Sequence, residues 1–456
     1  MKKKLLSTFA VLMLTVSLSA QNGFDKSAQQ IANEMMPGWN LGNTMEATIG
    51  WGSSPAEPFN NNNGTASETA WQGTKTTQAV IDYVKSQGFR SVRIPCAWVL
   101  GHISNAQNYT IDAAWMARVK EVVDYCINDG LYVILNDHWD GGWLEEHINA
   151  TGNTKTKNKE VLKAIWTQIA NQFRDYDEHL IFAGLNEPNV GEQSDVASLI
   201  EDVASLIEYE QVFIDAVRAT GGNNAKRLLV VQGPSTDIEK ACNWMTNNLP
   251  SDPIGNKLAI EIHFYYPWNF WGMDKDEWWG NMFYYWGEGN HVSGSKHNAT
   301  YGEEADMKNM ADRLKTCFID KGIPVINGEY GVMWRTNISG ANESQEKHNA
   351  SIKTYYKTMN KLCMERGIVP MAWDTNSTGN NQMTIINRSN LTIYNPHMLE
   401  GIHEAMDELG ISINTSVADM TRQPVVSDMY YDLQGRQVTN PAHGIYIHNG
   451  RKVLLK

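Results

Sequence analysis

Eight short apolar runs, most of them followed by a segment of helical periodicity, constrain this chain more than any other feature. They are Gly38–Leu41, Phe89–Ile94, Leu131–Asn136, Leu180–Leu185, Arg227–Gln232, Leu258–His263, Ile323–Asn327 and Ile368–Ala372. A run such as Leu180–Leu185 has the length and apolarity of a strand covered on both faces, as in a parallel sheet under helices. Apolar residues recur at three- and four-residue spacing over Thr76–Ser86, Ala113–Asn128, Glu160–Phe173, Val196–Ala219, Asp306–Asp320 and Gln345–Glu365. Gly88, Gly130, Gly221, Gly322 and Gly367 stand where several of these helices should stop before the next strand. Eight strand–helix alternations predict an α/β fold, a (β/α)8 TIM barrel. A doubly wound open sheet is the competing arrangement, disfavoured because no glycine-rich phosphate-binding turn opens the chain.

The two ends depart from this rhythm. Lys2, Lys3 and Lys4 precede an apolar stretch from Leu5 to Leu18 that closes on Ser19 and Ala20, the organisation of a secretory signal peptide. The stretch is short for a membrane span and no Cys follows it to take a lipid, so cleavage near Ala20 and export are expected. The destination would be the extracellular medium or cell surface, with the periplasm as the alternative. After Gly410 the helical period ends, and β-like pieces appear at Met429–Leu433, Gly444–Ile447 and Arg451–Leu455, separated by turn signals. The chain thus divides into a leader (1–20), a barrel domain (21–412) and a short β-like tail (413–456). In YYDLQGRQV, GIYI and GRKVLLK the tail is similar to the C-terminal secretion-sorting signals of certain Gram-negative bacteria, which implies a meeting with export machinery. A small β appendage packed on the barrel is the plainer alternative.

Acidic residues number 51 against 38 basic, a net charge of −13 that becomes more negative once the leader's lysines are removed. That balance argues against nucleic acid or an anionic membrane surface as partner and suits a neutral ligand. No window after the leader is apolar enough to span a bilayer. The five cysteines, Cys96, Cys126, Cys242, Cys317 and Cys363, are odd in number and mostly embedded in apolar patterns, so buried free thiols are expected, with one bridge as the alternative. Sixteen Trp and eighteen Tyr are an excess, and aromatic faces pack on the C–H faces of sugar rings. Two long loops concentrate them. Thr48–Gly73 holds Trp51, Trp71 and the run Asn60–Asn63, while Pro267–Glu303 holds Trp268, Phe270, Trp271, Trp278, Trp279, Phe283, Tyr284, Tyr285 and Trp286. Some of these rings must pack on one another, so a minority is expected to touch a ligand.

Two of the apolar runs end in a glutamate. Asn186-Glu187-Pro188 follows one, and Pro188, which lacks an N–H, stops the strand there. Glu329 ends IPVINGE, the second copy of the pattern. Catalytic groups of a (β/α)8 barrel collect at the carboxyl ends of its strands, so the two carboxylates are expected to converge. Such a pair suits glycoside hydrolysis, where one carboxyl protonates the leaving oxygen and the other attacks the anomeric carbon. Other strand ends supply Arg93 in SVRIP, His138 in LNDHW, and His263 with Tyr265 in EIHFY. Asp137, His138, Asp140 and His147 could be read as a metal set, but H-E-x-x-H spacing is absent and the chemistry needs no metal or organic cofactor.

The stretches GWNLGNTMEA (38–47), SETAWQG (67–73), GFRSVRIPCAW (88–98), GLYVILNDHWDGGW (130–143), LNEP (185–188), EIHFYYPW (261–268), NGEYG (327–331) and MAWD (371–374) together resemble the cellulase branches of glycoside hydrolase family five. The resemblance implies a retaining β-glycanase with Glu187 as acid/base and Glu329 as nucleophile. It also implies that Asn186 holds the sugar 2-hydroxyl and Tyr265 hydrogen-bonds the nucleophile, which Arg93 keeps ionised. His138 and His263 would line the site, and Trp373 would stack beneath the sugar on the non-reducing side. Many relatives carry a second His where this chain has Trp139, which touches the shape of the adjoining subsite. The expected activity is that of an endo-β-1,4-glucanase on cellulose-like or mixed-linkage β-glucan. Xyloglucanase is the close alternative, mannanase and xylanase would keep the same residues, and a non-catalytic polysaccharide-binding surface protein is the reading from a different class.

Overall fold

The computed structural model describes residues 23–49, 62–191 and 196–413, and beyond them four short stretches of strand backbone in the tail. The leader and Trp51 lie outside the described residues. Eight strands close a barrel: β1 (Gly38–Asn40), β2 (Ser91–Ile94), β3 (Tyr132–Asn136), β4 (Leu180–Ala183), β5 (Leu229–Gln232), β6 (Leu258–Phe264), β7 (Val325–Tyr330) and β8 (Ile368–Ala372). Each is parallel to its neighbours, and β8 returns to β1 through Gly38↔Met371 and Trp39↔Ala372. The helices that follow them in turn are α1 (Gln78–Ser86), α2 (Ala113–Asn128), α3 (Gly152–Gln172), α4 (Val196–Ala219), α5 (Ile238–Trp244), α6 (Glu304–Cys317), α7 (Gln345–Arg366) and α8 (Pro396–Glu408). This is the expected (β/α)8 barrel, and its closure excludes the open sheet.

Local rules account for the helices. Asp112 caps α2 by accepting the Trp115 N–H at 2.9 Å, and Trp115, Val119, Val122, Val123 and Cys126 share its buried face. Each fully buried aliphatic side chain of that kind contributes about 1.5–3 kcal/mol. Ser344 caps α7, which stops on Gly367 at φ 74°, a left-handed conformation that glycine adopts without strain. The other expected stop glycines also carry positive φ. Helix α3 starts at Gly152, earlier than Glu160, because its polar first turns have no apolar face to betray them.

The strand ends that matter differ slightly from expectation. Strand β4 stops at Ala183 rather than Leu185, and the Leu185 N–H turns to the Gln232 side chain at 2.8 Å. Strand β7 runs past Asn327 to Tyr330, so Glu329 lies inside it. The ladder slips there: Ile262 pairs with Asn327 but His263 with Glu329, leaving Gly328 as a bulge. Gly328 has no alternative, since a Cβ would sit 1.8 Å from the Glu261 carboxylate. The same irregularity on the other side lets β8 carry Pro370, which cannot donate to a ladder.

All five cysteines are free, and Cys317 alone is incompletely buried. In the loop after β6, Phe270, Phe283, Tyr285 and Trp286 are buried while Trp268, Trp278, Trp279 and Tyr301 stay exposed, the division expected of a loop that packs partly on itself. In the tail, Tyr430–Tyr431, Gln437–Val438, Gly444–His448 and Arg451–Leu455 form a four-stranded antiparallel sheet, of which Gln437–Val438 was not anticipated. No helix among the described residues is long and apolar enough to cross a membrane.

Candidate active site

At the carboxyl ends of the strands, β2, β4, β6 and β7 bring one connected network together. Arg93 is its fully buried centre. Its Nη1 donates to Glu329 Oε1 at 2.7 Å and to Asn40 Oδ1 at 3.1 Å, its Nη2 donates to Asn186 Oδ1 at 2.9 Å, and its Nε is ion-paired with Glu261 Oε1 at 2.8 Å. The other oxygen of Glu329 accepts the Tyr265 hydroxyl at 2.9 Å. His263 Nδ1 lies 2.6 Å from Glu187 Oε1 and 3.8 Å from Glu329 Oε2, and its Nε2 lies 3.4 Å from Glu261. Carboxylate oxygens of Glu187 and Glu329 and a nitrogen of His263 all lie within 4.8 Å of one another.

The electrostatics follow from burial and partners. Burial alone would discharge the His263 ring, but the Glu329 charge and the bonds to Glu187 and Glu261 prevail and raise it to about 10. Burial likewise opposes the charge on Glu187, yet its hydrogen bond to His263 leaves it below the ordinary carboxylate range. Glu329 stays above that range, because its burial outweighs the help of His263 and Arg93. These directions favour Glu187 as a carboxylate facing a protonated His263, whereas the acid/base role requires a proton on Glu187. Burial pushes Tyr265 well up, reinforced by the charges of Glu329 and Glu187, so its hydroxyl is a donor throughout the ordinary pH range. His138 is held neutral by burial and by the nearby positive charges of Arg93 and His263.

His138 and Trp373 form a wall of the site, with ring centroids 5.9 Å apart and planes 7° from parallel. The Asn136 amide lies 3.2 Å from His138 Nδ1. Trp373 follows β8 directly and is half-buried. Trp139 is half-buried and reaches Glu146 through its indole N–H at 3.4 Å. Tyr265 packs on Trp271 at 4.8 Å, and Trp271 on exposed Trp268 at 4.8 Å, a run of rings leading outward from Glu329.

All eight residues singled out from the sequence thus gather at one mouth. Three participants were missed. Glu261 precedes His263 and Tyr265 by the two-residue period of one strand face, a signal that could have found it. Asn40, which ties β1 to the Gly328 carbonyl at 2.9 Å, lies in the GWNLGNT motif. Glu145 lies in a one-turn helix, Glu145–His147, with no sequence signal of its own, yet it accepts the Glu187 N–H at 2.9 Å and the Asn186 amide at 3.2 Å. Two members of the metal set weighed from the sequence are otherwise employed: Asp140 accepts the N–H groups of Trp98, Val99 and Leu100, and His147 bonds the Gly142 carbonyl. Among the described residues, Glu187, His263 and Glu329 are spaced to hold a cation, and the Arg93 guanidinium already supplies positive charge at Glu329.

Residues 53–379 match the family model Cellulase (glycosyl hydrolase family 5). The xyloglucan-specific endo-β-1,4-glucanase of Bacteroides ovatus is 36% identical over 354 residues, covering 78% of this chain and 66% of that protein. Endoglucanase A of Paenibacillus barcinonensis is 30% identical over 417 residues, covering 88% and 96%. Among solved structures, a family 5 xyloglucan-specific β-1,4-glucanase from a ruminal metagenomic library, in complex with XXLG, superposes with a TM-score of 0.74 at 47% identity over 84% of this chain and 96% of that one. With its closed barrel, its two clustered glutamates and a family match over most of its length, the chain belongs to the cellulase family, glycosyl hydrolase family 5.

Proposed function

We propose that this protein is a retaining endo-β-1,4-glucanase in which Glu329 is the nucleophile and Glu187 the acid/base. The observation that carries the reading is the close approach of their carboxylate oxygens, within 4.8 Å. Retaining enzymes hold the pair at roughly 5–5.5 Å, whereas inverting ones leave room for a water. Arg93 and Tyr265 grip Glu329 from both oxygens and stabilise it as the carboxylate that attacks the anomeric carbon. The leaving oxygen needs a proton from Glu187. His263 stores it 2.6 Å away, and transfer along that hydrogen bond converts the resting ion pair into a neutral acid beside a neutral imidazole. After glycosylation, Glu187 takes a proton from the incoming water and the sugar leaves with its configuration retained.

The glycan is a β-1,4-linked glucan bound along an open aromatic surface, with Trp373 under one sugar and the Trp268–Trp271 rings on the other side of the cut. Xyloglucan is the second reading for the preferred substrate, favoured by the 47% identity to an enzyme solved with XXLG and by the Bacteroides ovatus relative. The leader and the tail support export to the cell surface or medium. Purified enzyme assayed on xyloglucan, mixed-linkage β-glucan, carboxymethylcellulose, mannan and xylan tests the reading. Internal cutting of a β-1,4-glucan, seen as viscosity falling ahead of reducing ends, is expected; strong preference for mannan or xylan would overturn it.

A further inference from the structure

The geometry points to Glu145 as a positioning residue that fixes both the Asn186 amide and the acid/base Glu187 in their reactive orientation. The inference rests on the roles given above to Asn186 and Glu187. Three bonds carry it. Glu145 Oε2 accepts the Glu187 backbone N–H at 2.9 Å and the Asn186 side-chain N–H at 3.2 Å, and the Glu145 carbonyl accepts the Asn189 N–H at 2.8 Å. One residue of the loop after β3 therefore grips the whole Asn-Glu-Pro-Asn turn after β4. Its own seat is firm, because Trp143, Leu144 and Ile148 around it are buried.

The chemistry of the two ends of Asn186 adds direction. Its Oδ1 faces the Arg93 guanidinium and its Nδ2 faces the Glu145 carboxyl. Turning the amide over would set two donors together at Arg93 and two acceptors together at Glu145, so the second Nδ2 hydrogen is committed to the sugar side. Arg93 alone would fix only the oxygen. A carboxyl beside Glu187 also feels its charge: burial and then Glu187 push Glu145 up to about 8.

Glu145→Met fills the same space without an acceptor, whereas Glu145→Gln keeps an oxygen that can receive both N–H groups. The test measures kcat/KM on aryl β-cellobiosides from phenyl to 2,4-dinitrophenyl, with unfolding temperature as the control. Glu145→Met should lose at least about tenfold more on the phenyl glycoside, which needs a placed acid, than on the dinitrophenyl one, where only the loosened Asn186 is felt, while Glu145→Gln keeps most activity on both. An equal loss on both glycosides, or no loss, would overturn the inference; should Glu145→Met fail to fold, Glu145→Ser serves the same comparison. Glu187→Ala is run alongside. Steep leaving-group dependence there with none in Glu145→Met sinks this inference alone, and a flat response in both sinks the acid assignment with it.

Discussion

Arg93 and Arg227 are both fully buried, at opposite mouths of the same barrel, and they differ in the company they keep. At the carboxyl ends of the strands, Arg93 meets Glu329 and Glu261; burial works against its charge, but those two carboxylates overcome it and raise its pKa. At the other mouth Arg227 meets Asn224 and the backbone carbonyls of Phe173, Tyr176, Asp177 and Leu180, and burial takes it down to about 9. Carbonyls are fixed dipoles that staple a loop and can do little else. Carboxylates change charge, so the group that balances them takes part in chemistry. Burial marks both mouths alike, and the type of partner separates a working site from a structural one.

Removing a carboxylate from the Arg93 mouth should do the most damage. Glu329→Gln should lower kcat by on the order of 10⁴-fold or more and abolish glycosyl-enzyme formation. Glu187→Ala should retain attack on aryl glycosides with good leaving groups, and added azide should release a β-glycosyl azide, detectable by mass spectrometry and NMR. An unchanged product pattern with azide would remove Glu187 from its role.

The arginines themselves should fail in opposite ways. Arg93→Lys loses the fork that meets Glu329, Asn186 and Glu261 together, and kcat/KM on a β-glucan should fall about 100-fold. Arg227→Lys should leave kcat within about twofold but cost about 2–4 kcal/mol of stability in denaturant unfolding, since several buried carbonyls lose their donors. Equal losses of activity in the two variants would erase the distinction.

Smallest is a difference in pH slope between two buried histidines. His263 is raised in the folded state, so its contribution to stability is whole below the unfolded value near 6.5 and is lost as pH climbs toward about 10. His348 is brought down to about 3, chiefly by burial and then by Arg335, and its Nε2 accepts the Arg335 N–H at 3.0 Å. The unfolded chain takes that proton more readily, so stability falls as pH drops below about 6.5. Unfolding curves for His263→Gln should lose slope on the alkaline side, and those for His348→Gln on the acid side.

Much of the fold was legible because strands buried on both faces and helices buried on one leave different periods in the sequence. The glutamates were legible for a related reason: Pro188 and the Asn-Gly pair before Glu329 interrupt apolar runs. What the sequence concealed was contact across the barrel. The bulge at Gly328 exists because Glu261 on the next strand occupies the space of a Cβ, and Glu145 matters only because β3 and β4 are neighbours. The charge balance at His263 was hidden too, since it depends on Glu261 and Glu329 from two strands and on Glu187 from the turn after a third.

The central claim, double displacement through Glu329 with Glu187 as acid/base, is tested most directly by the anomer that forms first. Proton NMR of a soluble β-1,4-glucan oligosaccharide during the first minutes of hydrolysis should show the β-anomer of the new reducing end, followed by mutarotation to the mixture. Initial appearance of the α-anomer would mean inversion and would contradict the roles given to both glutamates.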